Sequence, residues 1–412
     1  MKLLPDARTV GPACVLALAA AAVAVGRPAS AAAQADTLRA ADTLVAQDGP
    51  YNRPFITSVR STAIGGYVEA NTNHFEEDGI GDGFSMEMRR FNIFVFGSIS
   101  PRIRFISELE FEHGTEEIAL ETALLDVRIN PSLVIRAGVL LPPIGYLNAN
   151  HDSPQWNFVD RPLVTTEIIP STLSEVGFGV FGKFFPGRYT VSYDLYLTNG
   201  LQDGILVNEE GRTHIPSGKS EELFAEDNNG SPAWTGRLGL QRPGWGEVGA
   251  SFYTGIYNTY RIEGDAVDDE RRVTIFAFDA QAEIRGVEVR TELALADIDV
   301  PSHLAELFGD RQWGGYLDVS VPVWRPHLAG YERPSVLALD LRLERLDMNV
   351  GTFSATGRNI FDETTAVVPG ISFRPTSNTV FRANYRREWH RDMLGNPTAI
   401  RAGYQIGLAT YF

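Results

Sequence analysis

At 412 residues the chain is long enough for two ordinary soluble domains or for one large closed barrel. A formal net charge of -16 removes the electrostatic attraction on which nucleic-acid binding rests. Beyond Val25 no apolar run approaches the roughly 20 residues that a membrane-spanning helix needs, so a helical membrane protein is excluded. A membrane-spanning barrel is not excluded, because its lipid face uses only alternate residues and leaves the mean hydropathy near neutral, here -0.11.

Residues 1–35 read as an export leader, with Lys2 and Arg8 giving a positive start, residues 14–25 a short apolar core, and Ala33-Gln34-Ala35 a small-residue cleavage pattern. Asp36 is the expected mature start. The cut removes Lys2, Arg8 and Arg27 against Asp6, a net of +2, so the formal -16 becomes -18. It also removes Cys14, the single cysteine, which leaves no disulfide framework and no thiolate metal site. Residues 36–61 show no periodicity and are expected to form a mobile lead-in on the periplasmic side.

Sixteen strand-like runs follow, at about 62–71, 84–99, 102–113, 118–130, 133–140, 176–184, 189–198 and 234–242, then at 247–258, 272–285, 287–297, 312–323, 335–345, 365–374, 379–390 and 399–412. The third sets the pattern. Ile103, Phe105, Ser107, Leu109 and Phe111 point one way; Arg104, Glu108, Glu110 and Glu112 point the other, because strand side chains change face at every residue. The same alternation sets Leu337, Leu339, Leu341 and Leu343 against Asp340, Arg342 and Glu344. It also sets Val287, Val289, Leu293 and Leu295 against Glu288, Arg290 and Glu292. On this register a charge at Leu341 or Leu293 meets hydrocarbon, and one at Ala338 or Ala294 meets water. Pro322 and Pro369 weaken the twelfth and fourteenth runs, since proline cannot donate to a ladder.

The connections alternate between tight turns, such as Ser100-Pro101, Asn130-Pro131-Ser132, Pro186-Gly187 and Arg285-Gly286, and longer polar segments. That asymmetry belongs to all-β transmembrane antiparallel barrels, with short periplasmic turns and long external loops. Two connections break it: 113–117 is short for an external loop and 325–334 long for a turn. The last run places Ile400, Ala402, Tyr404, Ile406, Leu408, Thr410 and Phe412 on one face, and its terminal phenylalanine resembles the signal by which the barrel assembly machinery recognises outer-membrane proteins. Trp389, Tyr385 and Tyr404 suit an aromatic girdle against outer-membrane lipid.

The segments MRRFNIFVFGSI, FISELEFE, ALLDVRINPSLVIRAGVLLPPIG and NFVDRPL resemble, in order and spacing, the amino-terminal half of the phosphate-selective porin O and P family. The resemblance implies a sixteen-stranded, homotrimeric outer-membrane porin, without enzymatic activity or cofactor, whose third external loop folds inward near 141–172 and narrows the pore. Tyr146, Asp152, Trp156 and Arg161 lie in that loop. It also implies anion contacts from basic side chains in the lumen, and the alternation assigns Arg90, Arg104, Arg128, Arg136, Arg382 and Arg386 to that face. The same face carries Glu108, Glu110, Glu112, Asp126, Asp340, Glu344 and Glu388, so cross-strand pairing competes with anion binding. Arg104, Arg128 and Arg136 lie near the periplasmic turns on neighbouring strands, where they would form one patch unless Asp126 neutralises it.

Two other classes stay open: a structural or adhesive barrel with a blocked lumen, and a barrel hydrolase. His151-Asp152-Ser153 brings three catalytic residue types together, although members of a triad are assembled by fold and not by adjacency. His74, His214, His303 and His390 show no metal-ligand spacing such as His-x-x-x-His. The acidic runs Glu76-Glu77-Asp78, Glu221-Glu222 and Asp268-Asp269-Glu270 fall in expected external loops, where they could hold divalent cations against lipopolysaccharide phosphates.

Overall fold

The computed structural model describes residues 52–56, 61–220, 224–331 and 333–412; the leader, most of the lead-in and Glu221-Glu222 lie outside them. Sixteen strands form the wall: β1 (Thr62–Glu77), β2 (Ile80–Ser100), β3 (Ile103–Glu112), β4 (Glu117–Asn130), β5 (Leu133–Leu140), β6 (Glu175–Phe184), β7 (Thr190–Thr198) and β8 (Ala233–Arg242). The second half adds β9 (Gly246–Ile256), β10 (Arg272–Ile284), β11 (Val287–Ile298), β12 (Arg311–Trp324), β13 (Val336–Asp347), β14 (Glu363–Thr376), β15 (Thr379–Arg391) and β16 (Ala399–Tyr411). Each pairs antiparallel with its sequence neighbours, and β1 pairs with β16, so the sheet closes without an edge. Closure satisfies the backbone internally, which is what a wall in lipid requires. Among the described residues no helix is long and apolar enough to cross a membrane.

Side-chain alternation carries the inside and outside of the wall. On β13 Leu339, Leu341 and Leu343 are exposed while Asp340, Arg342 and Glu344 are buried in the interior. Tyr385 and Tyr404 lie opposite each other on the outside, with Arg387 over the Trp389 ring beside them. The expectation for inward alanines needs correction. Ala294 and Ala338 do point inward, but both are buried, and Ala294 sits in an apolar cluster rather than in water.

Proline leaves the ladder locally weak and the register intact. Pro369 and Val368 go without partners on β15, while Val367–Arg387 and Gly370–Asn384 pair in the same register on either side. Around Pro322 the register with β13 shifts by one residue, close to the end of β12. The two irregular connections are as expected, 113–116 short and 325–335 long. The connection expected over 72–83 is instead a long hairpin, because β1 and β2 continue to a two-residue turn at Asp78-Gly79, both at positive φ.

Two β-bulges alter which side chains enter the lumen. Between β1 and β2 the register steps from Glu69–Arg90 to Ala70–Met88, so Arg89 is the extra residue. Between β3 and β4 it steps from Glu108–Thr122 to Leu109–Leu120, so Glu121 is the extra residue. Strict alternation puts Glu121 on the outer face with Leu125, yet the bulge buries it beside Thr122 on the inside.

Candidate pore

The segment after β5, residues 141–174, turns into the barrel. It carries a single 3-10 turn, Ser153–Gln155, and a short α-helical turn, Leu163–Glu167. Ile144, Val164, Ile168 and Ile169 bury themselves against Tyr253, Ile275, Ala294 and Tyr316 of the opposite wall. The middle of the segment crosses to the closure seam, where the 3-10 turn meets β1, β15 and β16.

Wall arginines hold this loop by its backbone. Arg382 donates to the carbonyl oxygens of Ser153, Trp156 and Phe158, and pairs with Glu69 at 2.6 Å. Arg374 donates to Pro154 and Trp156, Arg290 to Gln155, and Arg342 to Asp160. A guanidinium presents five N–H donors in a fixed fork, which suits one side chain serving several carbonyls and a carboxylate. The segment therefore needs little regular structure of its own to satisfy its backbone inside the barrel.

Its charged side chains are met in turn. Asp152 accepts from Arg53 at 3.0 Å and from the Tyr411 hydroxyl at 2.7 Å. Burial alone would raise the Asp152 carboxyl, but the Arg53 guanidinium beside it holds it below its ordinary value. Arg53 also reaches Glu108 at 2.8 Å, with its guanidinium 3.8 Å above the Phe94 ring. Of the lead-in expected over 36–61, the described residues 52–56 are docked inside the barrel, with Phe55 stacked on Phe94. An arginine with two carboxylates and an aromatic face inside the lumen overrides the absence of any periodic signal around it.

His151, Asp152 and Ser153 are all buried and face different partners: Glu121, Arg53 and Arg382 respectively. They do not form a triad. Trp156 is buried, donates to the Asn150 carbonyl, and lies 5.1 Å from the Arg290 guanidinium. Tyr146 faces a cavity of about 310 Å³ that also touches Asn52, Arg136, Lys183 and Arg237.

The six lumen arginines divide. Arg136 is buried and donates to both oxygens of Asp126 at 2.8 Å, which takes it out of the expected anion patch with Arg104 and Arg128. Arg104 and Arg136 do share one height, since each is the cross-strand partner of Asp126, and Arg128 donates to the Pro101 carbonyl below them. Arg382 is committed to the loop and Glu69. Arg90 and Arg386 remain at the rim of an outer cavity of about 500 Å³, where Arg90 pairs with Glu112 at 2.6 Å and Arg386 with Glu344 and Glu388.

Arg161 reaches the same cavity with less support. Its Nη1 donates to Thr172 at 3.1 Å, while its buried Nε and Nη2 have no acceptor. Burial and then the neighbouring Arg90 push its guanidinium below the ordinary value. Lys219, from the connection between β7 and β8, lines this cavity too. The two cavities share no lining residue. Glu121 belongs to the outer one and Ala149 and Asn150 to the inner one, and His151, the residue after Asn150, lies 3.0 Å from Glu121.

The fold and lumen together define a porin-like fold: a closed sixteen-stranded antiparallel barrel crossed by an inward loop. No family model matches the chain. An uncharacterised protein of Aquifex aeolicus (strain VF5) is 29% identical over 361 residues, covering 82% of this chain and 78% of that protein. Among solved structures, OmpF of Salmonella typhi in complex with daunomycin superposes with a TM-score of 0.54 at 10% identity, covering 85% of this chain and 98% of that one. OmpT of Vibrio cholerae, in its trimer form, gives 0.52 at 12% identity over 86% and 100%. An anion-selective porin from Comamonas acidovorans gives 0.51 at 11% identity over 85% and 99%. At such identities the likeness is one of fold.

Proposed function

We propose that this protein is an outer-membrane porin, a passive diffusion channel for small hydrophilic solutes that favours anions such as phosphate. In this reading the leader is cleaved on export, the Phe412 signal directs insertion by the barrel assembly machinery, the barrels form a homotrimer, and the outer face meets lipid and lipopolysaccharide. Function then comes from pore width and wall charge, without turnover. The observation that carries the anion preference is Arg161. Two of its N–H-bearing nitrogens are buried at the outer cavity without an acceptor, next to Arg90 and Lys219. Among that cavity's carboxylates, Glu112, Asp160 and Glu388 already pair with Arg90, Arg89 and Arg386. An entering oxyanion would supply the missing acceptor in a charge-assisted hydrogen bond.

Reversal potentials across a planar bilayer in a salt gradient test this. The native pore should prefer anions, and Arg161→Gln should lower the preference and weaken any block of chloride current by phosphate. A cation-preferring native pore, or a variant that behaves as the native one, removes the anion reading. The separation of the two cavities favours a second reading, a barrel with a closed lumen whose loops serve attachment. Correctly folded barrels that stay electrically silent would select it.

A further inference from the structure

The geometry points to a site for a divalent transition-metal ion at the junction of loop and wall, formed by His151, Glu108 and Glu121. Their ligand atoms all lie within 4.8 Å of one another, and all three residues are buried; among the described residues no other such group occurs. The ligands come from three elements, β3, β4 and the inward loop, so no spacing in the sequence announces them.

The imidazole is oriented for the task. Its Nδ1 lies 3.0 Å from the Asn148 carbonyl, which can only accept, so Nδ1 carries the hydrogen. In the neutral ring the lone pair of Nε2 then faces Glu121 Oε2 at 3.0 Å and Glu108 Oε1 at 3.8 Å. A lone pair and two carboxylates in one buried space call for a positive charge, supplied to Glu108 by Arg53 on its far side and at Nε2 by either a second proton or a metal ion. Zinc bonds of about 2.1 Å in tetrahedral array set ligand atoms about 3.4 Å apart, a value these two separations bracket.

A separate observation points to a missing ligand. The Oε1 atom of Glu121 is buried with no N–H or hydroxyl donor on it, the Glu110 carboxyl being the neighbouring group, and the bulge turns this residue inward. Glu108 is fixed by donors on its far side, Asn92 at 2.8 Å and Arg53 at 2.8 Å, the outer-shell support that holds a metal-binding carboxylate in place. One imidazole and two carboxylates suit zinc, manganese or ferrous iron; calcium asks for six or more oxygens, which this group does not offer. Glu121 lines the outer cavity, which gives the ion a route in and water as a fourth ligand. Once bound, the ion ties the loop to β3 and β4. This inference stands apart from the diffusion reading, because a silent barrel can hold the ion equally well.

The test uses the folded full-chain barrel in detergent after treatment with a chelator. One equivalent of Co²⁺ should give visible absorption bands of a nitrogen- and oxygen-ligated ion, and Zn²⁺ should displace them. Calorimetric titration should give one zinc per chain. Outer-shell partners alone are worth about 10–100-fold in metal affinity, so His151→Gln and Glu121→Gln should weaken zinc by about a hundredfold or more, while His303→Gln keeps it. Zinc bound equally well by both ligand variants overturns the site. Should neither variant fold, the wild-type cobalt spectrum decides alone, and its absence refutes the proposal.

Discussion

Replacing Arg382 with methionine should release the inward loop while the barrel itself stays closed. The side chain is almost fully buried and serves Glu69, Ser153 and the carbonyls of Trp156 and Phe158. Breaking one side of a buried ion pair costs about 3–5 kcal/mol, chiefly because the other charge stays buried without its partner. Glu69 keeps Arg90 at 3.4 Å, so the lower end applies. A loss of about 3 kcal/mol corresponds to roughly a hundredfold in the equilibrium between docked and undocked loop. Chymotrypsin reads this directly, since Trp156 and Phe158 are buried when the loop is docked. The variant should be cut within 141–174 about a hundredfold faster than the parent at equal protease, with the strands still resisting unfolding. Adding Glu69→Gln should recover part of the loss, because it removes the stranded charge. Equal protection in Arg382→Met and the parent would refute the view that wall arginines hold this loop.

Two further outcomes follow from the outer wall and from the loop's acid chemistry. Leu341→Arg sets a cation against hydrocarbon and should lower barrel stability by about 2–4 kcal/mol near the midplane, as read from denaturant unfolding in bilayers; a neutral result would place that face elsewhere. Asp160 accepts from Arg89 at 2.8 Å, and although burial alone would raise its carboxyl, Arg89 and then Arg386 hold it below the ordinary value. A depressed folded-state value stabilises above the unfolded one, about 3.9, and that stabilisation is lost as pH falls through the folded value. Pepsin digestion should therefore find the loop protected down to about pH 4 and increasingly open below it, while Arg89→Ala moves the opening to higher pH.

The wall was legible in the sequence because a strand writes its environment every second residue, and Leu339, Asp340, Leu341 and Arg342 stand where their alternation assigns them. Register survives a proline when the flanking pattern is strong, as around Pro369. Alternation fails at a bulge, where one extra residue shifts the count, and it therefore missed both Arg89 and Glu121. The loop was readable as a segment and unreadable in its bonds, since its partners Arg374, Arg290 and Arg342 sit more than a hundred residues away and bind main-chain oxygens that carry no sequence mark. Arg53 and Lys219 lie in stretches without period, so only the folded lumen shows what they meet. Of the six arginines assigned to anion contact, Arg136 and Arg382 fell to neighbours whose identity was visible but whose geometry was not.

The seam also says something about the order of events. Residues 152–158 are gripped by Arg53 from ahead of β1, by Arg382 from β15 and by Tyr411 from β16, while Glu69 of β1 braces Arg382 from the other side of the join. These groups come together only when the first and last strands have met. Docking of the loop is therefore a late event that reports on completion of the cylinder. Contacts this distant along the chain are slow to form and give little reward until closure. A barrel with its seam open would leave the loop exposed to proteases.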